Sequence, residues 1–251
     1  MKKHISIMEN QQFLARLISK LISYKGKEKN YAWKFDITNI AYLTENEKTI
    51  IENEQTKFAK VMKLRTIIAK KFSECYDNFD LDFWIINKWG GIWRFKDNPN
   101  NRNKILNFKR CLDDDSLTRD LFKTISSLSK ISSFVEPTKY VIYDSRVTYA
   151  LNWLLLTTKN DLSDTRFFPM PKGRNTKINS YNMNKIISVN NHNCSFYTQE
   201  EAYLEFCKLI CLLSKEVYGD DEYPCILEML LFTISIEEIV NEIKNTHINL
   251  D

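Results

Sequence analysis

Residues 117–151 read LTRDLFKTISSLSKISSFVEPTKYVIYDSRVTYAL, and they carry the strongest fold signal in the chain. Two short helical patterns, at 117–125 and 131–135, flank the tight connection ISSLSK at 125–130. An apolar run follows and stops at Asp144, where another helical pattern begins at once. The stretch therefore predicts two helices joined by a hairpin, then an extended buried segment, then a helix that opens on a carboxylate.

The rest of the chain favours the same helical class. Its 251 residues include only 5 Gly and 5 Pro, too few for the many tight turns of a β-sandwich or barrel. Helical spacing covers most of the chain, apart from one polar and irregular insert near 157–197. We predict a mainly α protein, with a helical region at 1–80 and a compact unit at 81–251 that forms two lobes around a cleft.

Local signals predict where several helices begin. Apolar residues at helical spacing predict an amphipathic helix over 9–24. Thr44 with Glu47, and Thr198 with Glu201, have the spacing of capping boxes, in which each side chain satisfies a backbone N–H of the first turn.

Composition and charge exclude several kinds of site. The net charge of +4 is mild, so it permits a nucleic-acid partner without requiring one. The six cysteines form no C-x-x-C pair, and His4, His192 and His247 are scattered, so we predict no metal site and no cofactor. The sequence shows neither a signal peptide nor a run of about 20 apolar residues. This pattern predicts a cytoplasmic protein that binds no membrane.

Asp144 permits two interpretations. An aspartate at a helix start can accept hydrogen bonds from the free N–H groups of the first turn, which would make it a cap only. Alternatively, the cap holds the side chain rigid so that one oxygen faces a cleft and stabilises positive charge on a substrate. Arg146 permits three interpretations: a surface charge, a DNA contact, or the partner of Glu228. The last is possible because Glu228 stands in a nearly all-apolar segment, and a buried carboxylate needs a partner.

The predicted hairpin also permits two interpretations. Ser127 and Ser129 flank Leu128, and a hairpin of small residues can offer backbone N–H groups to a DNA phosphate. The alternative is an ordinary connection between packed helices.

The aromatic segment 82–95, DFWIINKWGGIWRF, provides candidate base contacts. Trp89 stands beside Gly90 and Gly91, and a glycine pair allows another group to approach the backbone closely, so Trp89 is a candidate for stacking on a base as well as for the core. The spacing favours core positions for Trp84 and Trp93. Two basic residues that follow prolines in RFFPMPKGRN are candidate phosphate contacts or solvated charges: Lys172 and Arg174.

Taken together, ISSLSK, YVIYDSRV, RFFPMPKGRN and ILEMLLF resemble segments of the helix–hairpin–helix DNA glycosylase superfamily. The closer resemblance is to bacterial proteins described as having the 8-oxoguanine-glycosylase fold, and it covers roughly residues 84–236. In that superfamily a hairpin, often with a lysine just after it, precedes an extended segment and an aspartate at a helix start. Lys130 and Asp144 reproduce this order, although serines replace the hairpin glycines and Ile142 replaces a proline.

The resemblance implies an enzyme that flips a modified base from double-stranded DNA and hydrolyses its N-glycosidic bond, without a cofactor or an obligate protein partner. Asp144 would stabilise the sugar cation, and Trp89 with Gly90 and Gly91 would form the base pocket. Lys130 would either attack the sugar or contact a phosphate. Relatives of this type are linked to antiphage defence, which implies modified phage DNA as the substrate, and repair of oxidised purines is the neighbouring role. Two alternatives stay open: a non-catalytic DNA-binding module, and a helical protein with no nucleic-acid partner.

Overall fold

A computed structural model describes residues 10–38, 40–74, 76, 78–158, 165–190, 194–219 and 223–246. The protein is mainly helical, which confirms the predicted class. Within these residues no helix is both long enough and apolar enough to cross a membrane.

The helices follow one another with short connections. In chain order they are α1 (Gln11–Tyr24), α2 (Glu45–Glu52), α3 (Lys57–Glu74), α4 (Phe79–Phe83), α5 (Pro99–Asp113), α6 (Arg119–Phe122), α7 (Ile125–Val135), α8 (Ser145–Thr158), α9 (Thr176–Ser180), α10 (Met183–Asn190), α11 (Ala202–Tyr218), α12 (Cys225–Ile234) and α13 (Val240–Asn245). A 3₁₀ turn forms at Lys27–Asn30, and π-helical segments at Trp84–Trp89 and Ser235–Ile239 extend α4 and α12. Two short strands, β1 (Arg166–Phe167) and β2 (Ser195–Phe196), pair in parallel.

The predicted local signals are present. Helix α1 buries Phe13, Leu17 and Leu21 along one face, as the periodicity predicts. The capping box at Thr44 and Glu47 forms at the start of α2. The Thr198 hydroxyl accepts from the Glu201 N–H, and the Glu201 carboxylate accepts from the Thr198 N–H, but these bonds close a turn before α11, which begins at Ala202. The start of α2 follows from local chemistry, because each side chain of its capping box satisfies an N–H group that the helix leaves free.

The predicted hairpin at 125–130 is wrong in position. Residues 125–135 form one continuous helix, α7, and the turn that joins it to α6 lies at Lys123–Thr124. Apolar residues in 125–135 recur at helical spacing. The serines of α7 do not interrupt the helix, because the hydroxyls of Ser132 and Ser133 donate to carbonyls one turn earlier. The helix–turn–helix order is therefore kept, but the turn lies a few residues closer to the N-terminus.

Two hydrophobic clusters meet at α7 and α12, which contribute residues to both. One contains α1 and most of the C-terminal half, and helix α1 packs against α8 and α11. The other gathers the segment 31–72 with Trp89, Phe134 and Met229. Nearly all of α7 is buried between them. The division into regions at 1–80 and 81–251 stays a prediction.

The insert near 157–197 is more ordered than the sequence predicts. It contains α9, α10 and the paired strands β1 and β2, while 159–164 and 191–193 lie outside the described residues. Asn152 of α8 holds the first part of the insert. The side-chain amide of Asn152 donates to the Phe168 carbonyl and accepts from the Phe168 N–H. The hydroxyl of Tyr143 donates to the Pro169 carbonyl. The insert is thereby fixed beside the start of α8.

The described cysteines are free thiols: Cys111, Cys194, Cys207, Cys211 and Cys225. Cys75 and the three histidines, His4, His192 and His247, lie outside the described residues. Within the part of the chain that the structure describes, no three His, Cys, Asp or Glu side chains form a group able to hold a metal.

Candidate active site

Asp144 caps helix α8 and ends a buried extended segment. Its Oδ1 accepts hydrogen bonds from the backbone N–H groups of Arg146, at 2.8 Å, and Val147, at 2.9 Å. The residue is half-buried, and its second oxygen has no hydrogen-bond partner among the described residues. The cap therefore fixes the carboxylate through one oxygen and leaves the other available to a ligand.

The segment before Asp144 is held by side chains instead of a neighbouring strand. The Ile142 N–H donates to Glu228 Oε2 at 2.8 Å, and the Tyr143 N–H donates to Ser129 Oγ at 3.0 Å. All four residues of 140–143 are buried. Because buried N–H groups need partners, these two bonds determine the path of the chain into Asp144.

Glu228 pairs with Arg65 of α3, so the predicted pairing with Arg146 is wrong. The guanidinium of Arg65 contacts both carboxylate oxygens, at 3.2 and 2.9 Å, and both side chains are almost completely buried. Arg146 instead lies over the ring of Phe232, with 4.4 Å between its guanidinium carbon and the ring centroid. Arg146 is half-buried and remains a candidate DNA contact.

Lys130 lies in the middle of α7. Its amine donates to the Ser126 carbonyl at 2.6 Å, and only 7% of the residue is exposed. Burial lowers the pKa of the Lys130 amine below its ordinary value, and the carboxylate of Asp144 offsets part of that effect. The prediction places Lys130 directly after the turn, whereas the structure places it well inside the helix.

Ser127 and Ser129 do not form a phosphate-binding hairpin. Both are buried within α7, and Ser129 accepts the hydrogen bond from the Tyr143 N–H. Their own N–H groups belong to a helix, so the predicted DNA contact at these serines is wrong. The exposed residue of the actual turn is Lys123.

The base pocket predicted at Trp89 is also wrong. Trp89 is 2% exposed and packs edge-on against Phe134, with 4.8 Å between ring centroids. Gly90 is buried beneath Lys130, where an added Cβ would lie 2.5 Å from Lys130 Cδ. Gly91 adopts φ +65°, which favours glycine, and it is half-buried. The space beside Gly90 holds the Lys130 side chain, and the space beside Gly91 faces the ring of Trp33.

Trp93 is the exposed aromatic residue of this segment, although the spacing predicts a core position. It is 60% exposed, and the amine of Lys88 lies 4.6 Å from its ring centroid. Trp84, by comparison, is half-buried and packs against the cluster that contains the segment 31–72.

The basic loop of the insert closes over the start of α8. Arg174 donates to the Gly91 carbonyl at 3.1 Å. Gly173 packs on Ser145, since an added Cβ there would lie 2.3 Å from Ser145 Oγ. Lys172 is exposed. Four sequence-predicted residues are thus brought into one neighbourhood around the start of α8: Gly90, Gly91, Lys130 and Arg174.

Three further residues of this neighbourhood are not predicted from the sequence: Tyr31, Trp33 and Phe232. The indole N–H of Trp33 donates to the Trp89 carbonyl at 2.7 Å, and the same ring meets Phe232 edge-on. Burial raises the pKa of the Tyr31 hydroxyl, and the nearby Glu228 and Asp144 carboxylates add to the rise. The aromatic residues of YAWKF, at 31–35, are the sequence signal that could have identified this segment.

The arrangement joins a rigid carboxylate to a partly desolvated amine. Asp144 can stabilise positive charge, and Lys130 can act as a nucleophile in its neutral form. A scan of protein-family models and searches of curated proteins and of solved structures found no match to this chain.

Proposed function

We propose that the protein is a DNA glycosylase that removes a modified base from double-stranded DNA. The observation that carries the proposal is the carboxylate of Asp144, which two backbone N–H groups hold by one oxygen while the other oxygen lacks a partner among the described residues. The carboxylate ends a unit of helix, turn, helix and extended segment, in the order that the sequence resemblance implies.

The carboxylate matches the charge that develops during base removal. When the N-glycosidic bond breaks, the base leaves with the bonding electron pair and positive charge develops on the sugar. A fixed anionic oxygen beside C1′ lowers the energy of that state, and it can also orient the attacking water. Water then bonds to C1′ and loses a proton, the departing base gains one, and an abasic site remains.

Lys130 supports a second route through the same site. In its neutral form the amine attacks C1′ and displaces the base, after which ring opening gives an imine and the DNA strand can break. The lowered pKa of Lys130 makes the neutral amine available at a lower pH than for an exposed lysine.

We expect borohydride to trap a covalent complex between the wild type and its DNA substrate, because hydride reduces the imine to a stable secondary amine. Lys130→Gln should abolish trapping. Trapping by the wild type should fall as the pH is lowered, since the protonated amine is not a nucleophile. Gel electrophoresis of the protein–DNA adduct measures both effects. Lys139→Gln, which changes an exposed lysine just after α7, is the matched control and should be trapped like the wild type. Equal trapping of Lys130→Gln would assign the amine to another residue.

Trp93 is the residue that we propose to stack in DNA, in place of Trp89. It is exposed on the loop that follows Gly91, and Arg174 from the insert contacts the same loop at the Gly91 carbonyl. A flipped base leaves a gap in the duplex that an aromatic ring can fill. Arg146, Lys172, Arg174 and Lys123 are the basic side chains proposed to contact phosphates around it.

Trp93→Ala is expected to weaken DNA binding by about 1–3 kcal/mol, the range for loss of one base–aromatic stack. Fluorescence anisotropy with a labelled duplex measures the Kd. Trp93→Phe keeps a stacking face and should retain most of the affinity. The dependence of affinity on salt should be the same in all three proteins, because no phosphate contact is removed. Unchanged affinity of the Ala variant would exclude Trp93 from the DNA interface.

The direct test of activity uses genomic DNA preparations that differ in base modification, including modified phage DNA and oxidised DNA. We expect abasic sites to accumulate in at least one preparation, detected with an aldehyde-reactive probe. A non-catalytic DNA-binding module is the second candidate, since the hydrogen bonds of Asp144 are also those of a plain helix cap. That candidate predicts binding to all preparations and abasic sites in none.

A further inference from the structure

A cavity of about 210 Å³ lies between the first turns of α8 and the insert. This volume is smaller than the roughly 300–1,000 Å³ of sites for drug-sized ligands, and it suits a single flat ring system. Its lining comes from α8, the 170–171 segment, α9 and α10, which are far apart in sequence. The lining residues are Ser145, Tyr149, Met170, Pro171, Ile178, Asn179, Asn182, Met183 and Asn184.

Tyr149 is the feature of this cavity that points to a ligand. The residue is completely buried, and its hydroxyl has no hydrogen-bond partner among the described residues. A buried hydroxyl without a partner costs free energy, which a ligand that accepts a hydrogen bond from Tyr149 would recover. Burial also holds the pKa of Tyr149 above its ordinary value, so the hydroxyl stays protonated and can donate.

The other polar groups of the lining add both a donor and an acceptor. Asn179 uses its amide nitrogen to bond the Gly173 carbonyl, which leaves its amide oxygen as an acceptor. Asn182 accepts from the Lys185 N–H, which leaves its amide nitrogen as a donor. None of the nine lining residues is charged. The cavity therefore suits a neutral molecule with alternating donors and acceptors, and it disfavours a phosphate or a carboxylate, whose desolvation would be costly.

We propose that this cavity binds the base that is extruded from DNA, as a neutral nucleobase whose edge meets Tyr149, Asn179 and Asn182. Ser145, which lines the cavity, directly follows Asp144 in the chain. Tyr149 lies four residues further along α8, or about 6 Å along the helix axis. A nucleotide whose C1′ lies beside Asp144 can thus place its base in the cavity. The apolar lining residues Met170, Ile178 and Met183 provide surfaces for the faces of the ring. The identity of the ligand as a base rests on the proposed glycosylase function.

Direct binding of free nucleobases tests this inference without any catalytic turnover. The probes are adenine, guanine, cytosine, thymine, uracil, 8-oxoguanine and 5-hydroxymethyluracil, each titrated into the full-length protein by isothermal titration calorimetry. We expect at least one base to bind the wild type and Tyr149→Phe to weaken it about tenfold, since a single hydrogen bond is lost. Tyr149→Phe removes only the unpartnered hydroxyl, so its thermal stability should equal or exceed that of the wild type. Asn179→Trp, at an exposed rim position, should block binding by filling the cavity.

The outcomes separate the inference from the proposed function. Failure of every base to bind the wild type, or equal binding by Tyr149→Phe and Asn179→Trp, overturns the assignment of the cavity, even if abasic sites form in DNA. Base binding that both variants weaken supports the cavity assignment, even if no DNA preparation loses a base, in which case the glycosylase proposal alone fails.

Discussion

Asp144→Asn is expected to reduce base release by about 10²–10³-fold, the range measured when one preorganised electrostatic group is removed from an active site. Asparagine is as good a helix cap as aspartate, so its side-chain oxygen can still accept from the Arg146 and Val147 N–H groups. The variant therefore keeps the fold and the local shape but loses the negative charge. Single-turnover release of base from the best DNA substrate measures the effect.

The control for Asp144→Asn is Asp97→Asn, which removes an exposed aspartate far from α8 in sequence and should leave base release unchanged. DNA affinity and thermal stability of the Asp144 variant should stay close to those of the wild type. If the variant releases base as fast as the wild type, Asp144 is only a cap and the mechanism is wrong.

Arg65→Met is expected to destabilise the protein by about 3–5 kcal/mol, because it leaves a buried carboxylate without its partner. Glu228 is almost completely buried, and Arg65 contacts both of its oxygens. Glu228 also accepts the Ile142 N–H, two residues before Asp144, so base release should fall with stability. Urea denaturation measures the free energy of unfolding.

The double variant Arg65→Met with Glu228→Gln should be more stable than Arg65→Met alone. Glutamine carries no charge to desolvate, and its oxygen can still accept the Ile142 N–H. Arg102→Met, which breaks an exposed ion pair with Asp97, is the matched control and should leave the urea midpoint nearly unchanged. A midpoint of Arg65→Met equal to that of the control would show that the buried pair does not stabilise the fold.

Local signals in the sequence predict several helix ends correctly. The apolar face of α1, the capping box at Thr44 and the start of α8 at Asp144 depend on residues within one or two turns of one another. The position of the hairpin, by contrast, does not depend on local signals alone. A serine-rich stretch is compatible with a turn or a helix, and the packing of α7 between two hydrophobic clusters favours the helix.

Features that depend on distant contacts could not be predicted. The partner of Glu228 lies 163 residues away in α3, and no local pattern indicates it. Trp89 and Trp93 stand in similar sequence surroundings, yet only the fold determines that Trp89 packs on Phe134 while Trp93 is exposed. The cavity beside Tyr149 likewise joins α8 to the insert, whose order the sequence does not indicate.

Duplexes that carry a transition-state mimic measure the proposed role of Asp144 without knowledge of the base. One duplex contains a cationic pyrrolidine at the target position, and the other contains the neutral tetrahydrofuran ring of the same shape. We predict that the wild type binds the cationic duplex at least about tenfold more tightly, and that Asp144→Asn loses this preference. Equal affinity of the wild type for both duplexes, or a preference that survives in Asp144→Asn, would show that this carboxylate does not face the sugar of an extruded nucleotide.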